Sequence, residues 1–228
     1  MKQTFLKYSG SKRFVAEELS RRFPEHDRFV DLTVGGGSIL LYSNKPKLIS
    51  DINPDVINAY KLVKDNPQTI FNSYLEDWTI CSQNTEHFYK VRDRFNEARL
   101  PQDFIFLSRT VYNGLIRYNS KGLFNSSFMH KRKGIEPAKL LKIIEFWHSF
   151  LQNVDIKCGD YEEVYTPQAK DFLFLDSPYL GTSSQYLSDA KNFDFERLKS
   201  FLQKLDNHGI KFMCCLDDKI PKDFLPFY

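Results

Sequence analysis

The residues best placed to do chemistry are Asp176, Ser177, Pro178 and Tyr179, which follow the apolar run 172–175. A short apolar run that ends in a carboxylate, a prolyl turn and an aromatic ring is typical of a buried strand that presents an active site at its carboxyl end. The carboxylate and the backbone carbonyl beside it can accept hydrogen bonds, and the ring can stack on a planar ligand. These four residues are the candidate catalytic set.

A second candidate site follows the strand-like run 29–32, where three glycines come in succession, Gly35, Gly36 and Gly37. Glycine lets the backbone approach a ligand closely because it has no Cβ. Asp51 lies twenty residues after Asp31, at the end of the next strand-like run, where an acidic residue commonly hydrogen-bonds a ribose. The two features predict a site for an adenosine-containing cofactor. The glycine spacing does not match the dinucleotide fingerprint, and no P-loop lysine follows it.

The composition predicts one sizeable core with a small insertion, since the chain has 228 residues, 42% of them apolar. The four cysteines lack metal-ligand spacing, which predicts reduced thiols and no metal site. There is no secretory signal pattern and no apolar run of membrane-spanning length. We therefore expect a soluble cytoplasmic protein.

The net charge of +3 is small, but its distribution is uneven. No acidic residue lies between Asp103 and Glu136, whereas six basic ones do: Arg109, Arg117, Lys121, Lys131, Arg132 and Lys133. Aromatic side chains are interleaved with them, as expected for a nucleic-acid-binding segment. A solvated basic face has the same composition, so composition alone leaves both interpretations open.

The elements that must position these residues alternate along the chain. Strands are predicted at 29–32, 48–51, 155–158, 172–175 and 210–215, and helices at 12–22, from 54 onward, at 137–151 and at 194–206. Phe14, Val15, Leu19 and Phe23 have the spacing of one buried helix face, and Asn53 is the expected N-cap before Pro54. This alternation predicts an α/β fold with a mostly parallel, doubly wound sheet.

Residues 67–135 break the alternation. We interpret them as a helical insertion that carries a recognition loop or hairpin. The predicted organisation is a catalytic domain formed by 1–66 and 136–228, with a target-recognition insertion at 67–135.

Five motifs, in order and across nearly the whole chain, resemble those of the Dam-type DNA adenine N6-methyltransferases, especially the short, phage-like members. They are Lys7–Lys12 (KYSGSK), Phe29–Ser38 (FVDLTVGGGS), Asp51–Asn53 (DIN), Tyr112–Asn125 (YNGLIRYNSKGLFN) and Asp176–Tyr179 (DSPY). The resemblance implies a Rossmann-like methyltransferase fold, S-adenosylmethionine as cofactor without a metal, and double-stranded DNA as partner in a bacterial or phage-infected cell. It also implies methylation of adenine N6 in a flipped-out base, with GATC as the expected site.

In this interpretation the Asp176 carboxylate and the Ser177 carbonyl accept the two hydrogens of the adenine amine, and Tyr179 stacks on the base. The resemblance implies these cofactor contacts: Lys7, Tyr8, Lys12, Asp31, Thr33, Gly35, Gly36, Gly37, Asp51, Asp160, Tyr161 and Asp176. It implies these DNA contacts: Asn113, Arg117, Asn119, Lys121, Lys131, Arg132 and Lys133. Arg117 suits a guanine edge, whereas the last three suit phosphates. Asp160, at the end of a predicted strand and followed by Tyr161, is a candidate partner for the adenine amine of the cofactor, and it is equally well explained as a turn residue after Gly159.

The sequence departs from the family pattern at several points. Ser177 replaces the first proline of the catalytic motif, Thr33 replaces an aromatic residue, and 126–129 reads SSFM where many relatives have Pro-Phe-Gly. Ser177 keeps the carbonyl acceptor but loses the fixed φ of proline, a difference of about 1 kcal/mol or roughly five- to tenfold in rate. Only 13 residues follow Cys215, where family members continue with a helix and a closing hairpin. We therefore expect either a truncated chain or a shortened relative.

An uncovered sheet edge favours association, so we expect a monomer or a weak homodimer. The departures also leave a second hypothesis open, a catalytically weak or inactive module that binds DNA or a protein. A third is an RNA methyltransferase of similar fold, which the target segment disfavours.

Overall fold

A parallel sheet of five strands forms the centre of the protein. The computed structural model describes residues 3–130, 133–176 and 194–216. The strands are β1 (Arg28–Asp31), β2 (Pro46–Asp51), β3 (Asp155–Cys158), β4 (Asp171–Asp176) and β5 (Lys211–Cys215), in the order β3-β2-β1-β4-β5. Every neighbouring pair is parallel. All five strands predicted from the sequence are confirmed, and so is the α/β fold.

Along the chain, one helix of the described residues precedes β1 and the others connect the strands. They are α1 (Ala16–Ser20), α2 (Pro54–Asp65), α3 (Pro67–Gln83), α4 (His87–Ala98), α5 (Pro101–Thr110), α6 (Pro137–Leu151), α7 (Tyr161–Val164) and α8 (Phe195–Asn207). Helix α2 begins as predicted, because the Asn53 side chain accepts a hydrogen bond from the Asp55 N–H at 2.9 Å. None of these helices is long and apolar enough to cross a membrane.

The prediction for residues 12–22 is wrong at its start, because α1 covers only Ala16–Ser20. The side chains of Phe14 and Val15 are 77% and 41% exposed, so they do not form a core face. Leu19 and Phe23, by contrast, pack against the core as expected. The segment before α1 instead contains a turn, in which the Val15 N–H donates to the Lys12 carbonyl at 3.0 Å, and the Lys12 side chain contacts Asp176.

Both faces of the sheet are covered by helices. Phe29 of β1 and Phe172 and Phe174 of β4 belong to the core on the side of α2 and α6. Val30 of β1 and Leu173 of β4 belong to a second core under α7 and α8. Alternate residues thus point to opposite faces and are buried on both, as in doubly wound folds.

Helices α3, α4 and α5 do not form a separate core. The buried side chains of α5, Phe104 to Leu107, belong to the same apolar cluster as Phe29 and the α2 and α6 side chains. Arg94 of α4 joins the three helices, since its guanidinium donates to Asp77 of α3 at 2.8 Å and to Asp103 of α5 at 2.5 and 2.8 Å. The division of the chain at 67–135 stays a prediction.

The strand order reverses between β1 and β4. Successive strands extend from β1 to β2 and β3, after which β4 returns to the other side of β1. In open α/β sheets, ligands bind outside the carboxyl ends of the strands at such a switch point. Asp31 and Asp176 are the last residues of these two strands.

Candidate active site

The carboxyl ends of β1 and β4 are tied together by Thr33. Its hydroxyl accepts a hydrogen bond from the Asp176 N–H at 2.6 Å, and its own N–H donates to Asp31 Oδ1 at 3.1 Å. The sequence predicted Thr33 as a cofactor contact that lacks aromatic surface. The structure adds a further contact, because this side chain just after β1 holds the backbone N–H of the candidate catalytic residue Asp176 at the end of β4.

The glycine loop after β1 is held by Asp51. Asp51 Oδ2 accepts the Gly35 N–H at 2.9 Å, while Oδ1 accepts the Asn53 N–H at 2.9 Å. The two oxygens of a carboxylate have four lone pairs in all, and besides these two N–H groups the backbone of Ile52 also hydrogen-bonds Asp51, so not all acceptor positions are used. Asp51 therefore connects the loop to the start of α2 and can still accept hydrogen bonds from the hydroxyls of a ribose.

Gly37 is the glycine of the loop with the least space around it, so a side chain at this position would force its neighbours to move. Its φ is +71°, and a Cβ there would lie 2.8 Å from the Trp147 ring and even closer to the Tyr60 hydroxyl. Gly35 and Gly36 lie under Tyr8, whose Cβ would be 3.1 Å from a Cβ at Gly36. The loop thus lies between the N-terminal segment and the core, with the least room for a side chain at Gly37.

The KYSGSK segment, residues 7–12, closes over this loop. Ser11 and Ser38 share a hydrogen bond of 2.5 Å between their hydroxyls, and the Ser9 N–H donates to the Gly114 carbonyl at 3.0 Å. Lys7 packs against Gly114, where a Cβ would lie 2.8 Å from its Cγ. These contacts bring the predicted Lys7, Tyr8 and Lys12 to the carboxyl edge of the sheet.

Lys12 contacts the candidate catalytic carboxylate directly. Its Nζ lies 2.6 Å from Asp176 Oδ1 and 2.5 Å from Oδ2, and it also donates to the Gly10 carbonyl at 3.3 Å. The sequence predicted Lys12 only as a cofactor contact. No local pattern signals the ion pair, because its two residues are 164 positions apart.

Three carboxyl groups converge at this edge, and burial disfavours the charge on each. Burial is the main reason why the pKa of Asp31 is raised to about 8. The hydrogen bond from the Thr33 N–H lowers this pKa, and the nearby charges of Asp176 and Asp51 raise it by smaller amounts. Burial also raises the pKa of Asp51, which its backbone hydrogen bonds oppose. For Asp176, burial raises the pKa and the charge of Lys12 opposes it.

Asp160 and Tyr161 lie beyond the edge strand β3. The Asp160 carboxylate caps α7 through the Glu162 N–H at 3.0 Å and pairs with Arg197 of α8 at 2.6 and 3.0 Å. Tyr161 is buried, with its ring 5.0 Å from that of Phe201. Asp160 is therefore already engaged by the protein, and its role toward a cofactor stays a prediction.

The motif at 112–125 forms part of an antiparallel hairpin, with bridges between Val111 and Phe128 and between Tyr118 and Phe124. Phe124, Ser126 and Phe128 are buried, and the side chains between them are exposed. The predicted DNA contacts on the hairpin and its base are all exposed: Asn113, Arg117, Asn119 and Lys121. The hairpin thus presents polar and basic groups outward on an apolar base.

Some of the predicted basic and polar residues also have structural partners. Asn119 Oδ1 accepts the N–H groups of Lys121 at 2.9 Å and Leu123 at 3.0 Å, which shapes the hairpin turn. Lys133 is exposed, and its ammonium donates to the Ser82 carbonyl near the end of α3. Arg109 donates to the carbonyls of Thr4 and Phe5, so it holds the N-terminal segment instead of joining a basic surface.

Several predicted residues lie outside the described part of the chain. They are Ser177, Pro178 and Tyr179 of the catalytic motif, and Lys131 and Arg132 of the basic segment. Their roles stay predictions.

The sheet order, the glycine loop at the switch point and the carboxylate at the end of β4 define a Rossmann-like methyltransferase. A family model described as D12 class N6 adenine-specific DNA methyltransferase matches residues 8–223, and the chain belongs to this family. It is accordingly an adenine-specific DNA methyltransferase, as its sequence motifs predicted.

Curated relatives agree with this assignment. The Type II methyltransferase M.MjaIII of Methanocaldococcus jannaschii is 35% identical in an alignment 242 positions long, gaps included, that spans 92% of this chain and 82% of that protein. A DNA adenine methylase of Vibrio cholerae is 33% identical over 199 residues, covering 83% and 70%. The retron Ec67 DNA adenine methylase of Escherichia coli is 29% identical over 215 residues, covering 90% and 74%.

Proposed function

We propose that the protein transfers a methyl group from S-adenosylmethionine to N6 of a flipped-out adenine in duplex DNA. The observation that carries this proposal is the placement of Asp176 beside the glycine loop, joined to it by the Thr33 hydroxyl at 2.6 Å. A methyl donor held by the loop and an amine held by the carboxylate would meet at one edge of the sheet.

The residues at this edge fit the cofactor. The loop of Gly35–Gly37 gives close backbone approach, and Asp51 keeps acceptor positions for ribose hydroxyls. Ile52, next to Asp51, is 54% exposed and offers an apolar surface for a purine ring. When bound, S-adenosylmethionine supplies an electrophilic methyl group on a sulfonium.

The chain's own residues prepare the nucleophile. The adenine amine is a poor nucleophile because its lone pair is delocalised into the ring. Asp176 Oδ and the carbonyl of residue 177 would each accept one amine hydrogen, which favours a pyramidal nitrogen with an available lone pair. The protein thus contributes positioning and stabilisation of the positive charge that develops on N6. Tyr179 would stack on the extruded base.

The hairpin would read the DNA. Arg117 is exposed on the strand of the hairpin opposite Phe124 to Phe128, and its guanidinium suits the O6 and N7 acceptors of guanine. Lys121 lies at the exposed turn, where its charge suits a phosphate. We propose GATC as the methylated site, and a monomer or weak homodimer as the active form.

Two linked measurements test this function. Calorimetric titration of S-adenosylmethionine should show micromolar binding that Asp51→Asn abolishes and that Asp65→Asn, on the exposed end of α2, preserves. Transfer of a labelled methyl group should occur on duplexes that contain GATC, and should cease in Asp176→Ala. Absence of transfer by concentrated wild-type protein, with Asp176→Ala indistinguishable from it, would contradict the proposal.

The second candidate is a weak or inactive member of the family that binds DNA or a protein. It is favoured by Ser177 in place of proline and by Thr33 in place of an aromatic residue. It predicts salt-dependent DNA binding without turnover. The Thr33 hydrogen bond to Asp176 favours the active enzyme instead, since it gives the substituted residue a function at the catalytic centre.

A further inference from the structure

We propose that Lys12 is a positioning residue for methyl transfer, whose ammonium keeps the Asp176 carboxylate ionised and holds both of its oxygens in the orientation that accepts the target amine. The inference rests on the proposed function and adds to it a residue for which the sequence predicted a different role. Its basis is the contact of one Nζ with Oδ1 at 2.6 Å and with Oδ2 at 2.5 Å.

The contact leaves Asp176 able to act. Each carboxylate oxygen has two lone pairs, and Lys12 occupies one on each. An oxygen held in this way can still accept one hydrogen of an amine. The ammonium has a third acceptor in the Gly10 carbonyl at 3.3 Å, which limits the directions in which the lysine can point.

Lys12 is itself held by a well-anchored segment. The neighbouring Ser11 hydroxyl bonds to Ser38 after the glycine loop, and the Ser9 N–H bonds to the Gly114 carbonyl at the base of the hairpin. The orientation of the Asp176 carboxylate is thereby linked to both the predicted cofactor loop and the predicted DNA-reading hairpin.

The neighbourhood explains why a cation is needed here. Among the described residues, Asp176 is faced by Lys12 before α1, Asp31 and Thr33 at the end of β1, and Cys215 on β5. The described residues place a lysine on Asp176 but no cation on Asp31. The two adjacent carboxyl groups are therefore in different environments, because the charge of Lys12 opposes the effect of burial at Asp176 and no such charge lies on Asp31 among the described residues.

Ionisation matters because a protonated carboxyl group donates a hydrogen where the amine requires an acceptor. Burial raises the pKa of Asp176, and Lys12 is the charge that opposes this effect. An opposite charge at this distance changes such an equilibrium by about tenfold or more. Without Lys12, we expect Asp176 to remain protonated to higher pH and the enzyme to lose activity first on the acid side.

The test uses the full chain with Lys12→Met, Lys12→Gln, Lys12→Arg and, as control, Lys139→Met on the exposed side of α6. Carbon NMR of carboxyl-labelled aspartate follows the ionisation of Asp176, with Asp176→Asn to assign its signal. We expect the signal to titrate at higher pH in Lys12→Met and Lys12→Gln, and close to wild type in Lys12→Arg and Lys139→Met. An unchanged titration in the two uncharged variants would overturn the proposal, whether or not the protein is active.

Single-turnover methyl transfer across pH provides the second readout. We expect Lys12→Met to lose at least about tenfold more activity at the acid end of the profile than at the alkaline end. An equal loss at every pH, or a loss confined to S-adenosylmethionine affinity, would show that Lys12 serves structure or cofactor binding instead. If the wild-type protein transfers no methyl group, the proposed function fails, and the NMR titration still decides the role of Lys12.

Discussion

The hydroxyl of Tyr118 donates a hydrogen bond to Asp55 Oδ2 at 2.6 Å. Tyr118 lies on the hairpin that carries the predicted DNA contacts, whereas Asp55 lies in the first turn of α2, four residues after Asp51. Arg99 reinforces the link by donating to the same oxygen at 3.2 Å and to the Gly122 carbonyl. The hairpin is thus fastened to the helix that follows the predicted ribose-binding residue, so we expect changes at one to affect the other.

Tyr118→Phe should weaken this link without creating a cavity, because it removes the hydrogen bond to Asp55 and leaves the contacts of Arg99 in place. The loss of a hydrogen bond to a largely buried carboxylate should lower the free energy of unfolding by about 1–3 kcal/mol, measured by urea denaturation. We also expect slower methylation of duplex DNA with unchanged affinity for S-adenosylmethionine. The control is Tyr89→Phe, because no hydrogen bond of the Tyr89 hydroxyl is found in the described part of the chain. If both variants unfold and methylate alike, the Tyr118–Asp55 hydrogen bond has no energetic role.

Gly37→Ala should be more disruptive than Gly209→Ala, although both glycines have positive φ, +71° and +67°. The backbone strain is therefore similar in the two variants. A Cβ at Gly37 would collide with Tyr60 and Trp147, whereas nothing lies within 4 Å of one at Gly209. We expect Gly37→Ala to be less stable than Gly209→Ala by about 1–3 kcal/mol in denaturant unfolding. Equal stabilities would mean that the loop relaxes freely.

Arg94→Met should destabilise the three-helix region. Asp103 is fully buried and Asp77 nearly so, and Arg94 is their shared cation. Removing one partner of a buried ion pair lowers the free energy of unfolding by about 3–5 kcal/mol. Because the Arg94 side chain is 43% exposed, we expect a smaller loss of about 2–4 kcal/mol, measured by urea denaturation. Arg22→Met, which breaks an exposed pair with Glu18, should change stability by less than about 1 kcal/mol.

The loss in Arg94→Met should also depend on pH. Burial raises the pKa of Asp103 and Arg94 opposes this effect, so the variant should have a still higher folded-state pKa. A group whose folded-state pKa is raised contributes to the stability of the folded protein at low pH, and this contribution is lost as pH rises. The deficit of Arg94→Met should therefore be larger at pH 7 than at pH 5 in thermal or urea unfolding. A deficit that shrinks as pH rises would contradict this explanation.

Asp31→Asn should become more stabilising as pH rises. The folded-state pKa of Asp31 is raised to about 8 from 3.8. Between about pH 4 and pH 8 the wild-type protein must therefore take up a proton when it folds, and the free energy that this costs grows as pH rises. The asparagine has no such cost and keeps an oxygen that can accept the Thr33 N–H. We expect the stability difference to change by up to about 1.4 kcal/mol per pH unit in favour of the variant. A difference independent of pH would show that Asp31 is ionised in the folded protein at neutral pH.

The fold could be predicted from the sequence because its signals are local. Apolar runs such as Phe172–Leu175 predict a buried strand wherever they occur, and the Asn53-Pro54 pair marks a helix start through backbone chemistry alone. The family also followed from local strings, since the glycine loop and the DSPY motif need particular residues at fixed spacing. At Phe14 and Val15, where helical spacing was the only signal, the prediction was wrong.

The sequence by itself thus determined the class of fold, the family and the identity of the chemical groups at the site. Only the tertiary structure decided which groups meet. Lys12 and Asp176, Thr33 and the Asp176 backbone, and Asp55 and Tyr118 are joined across 164, 143 and 63 residues. Such pairs have no period or spacing, because they arise where the ends of separate strands and loops converge. Which carboxylate receives a cation is therefore a property of the folded edge of the sheet.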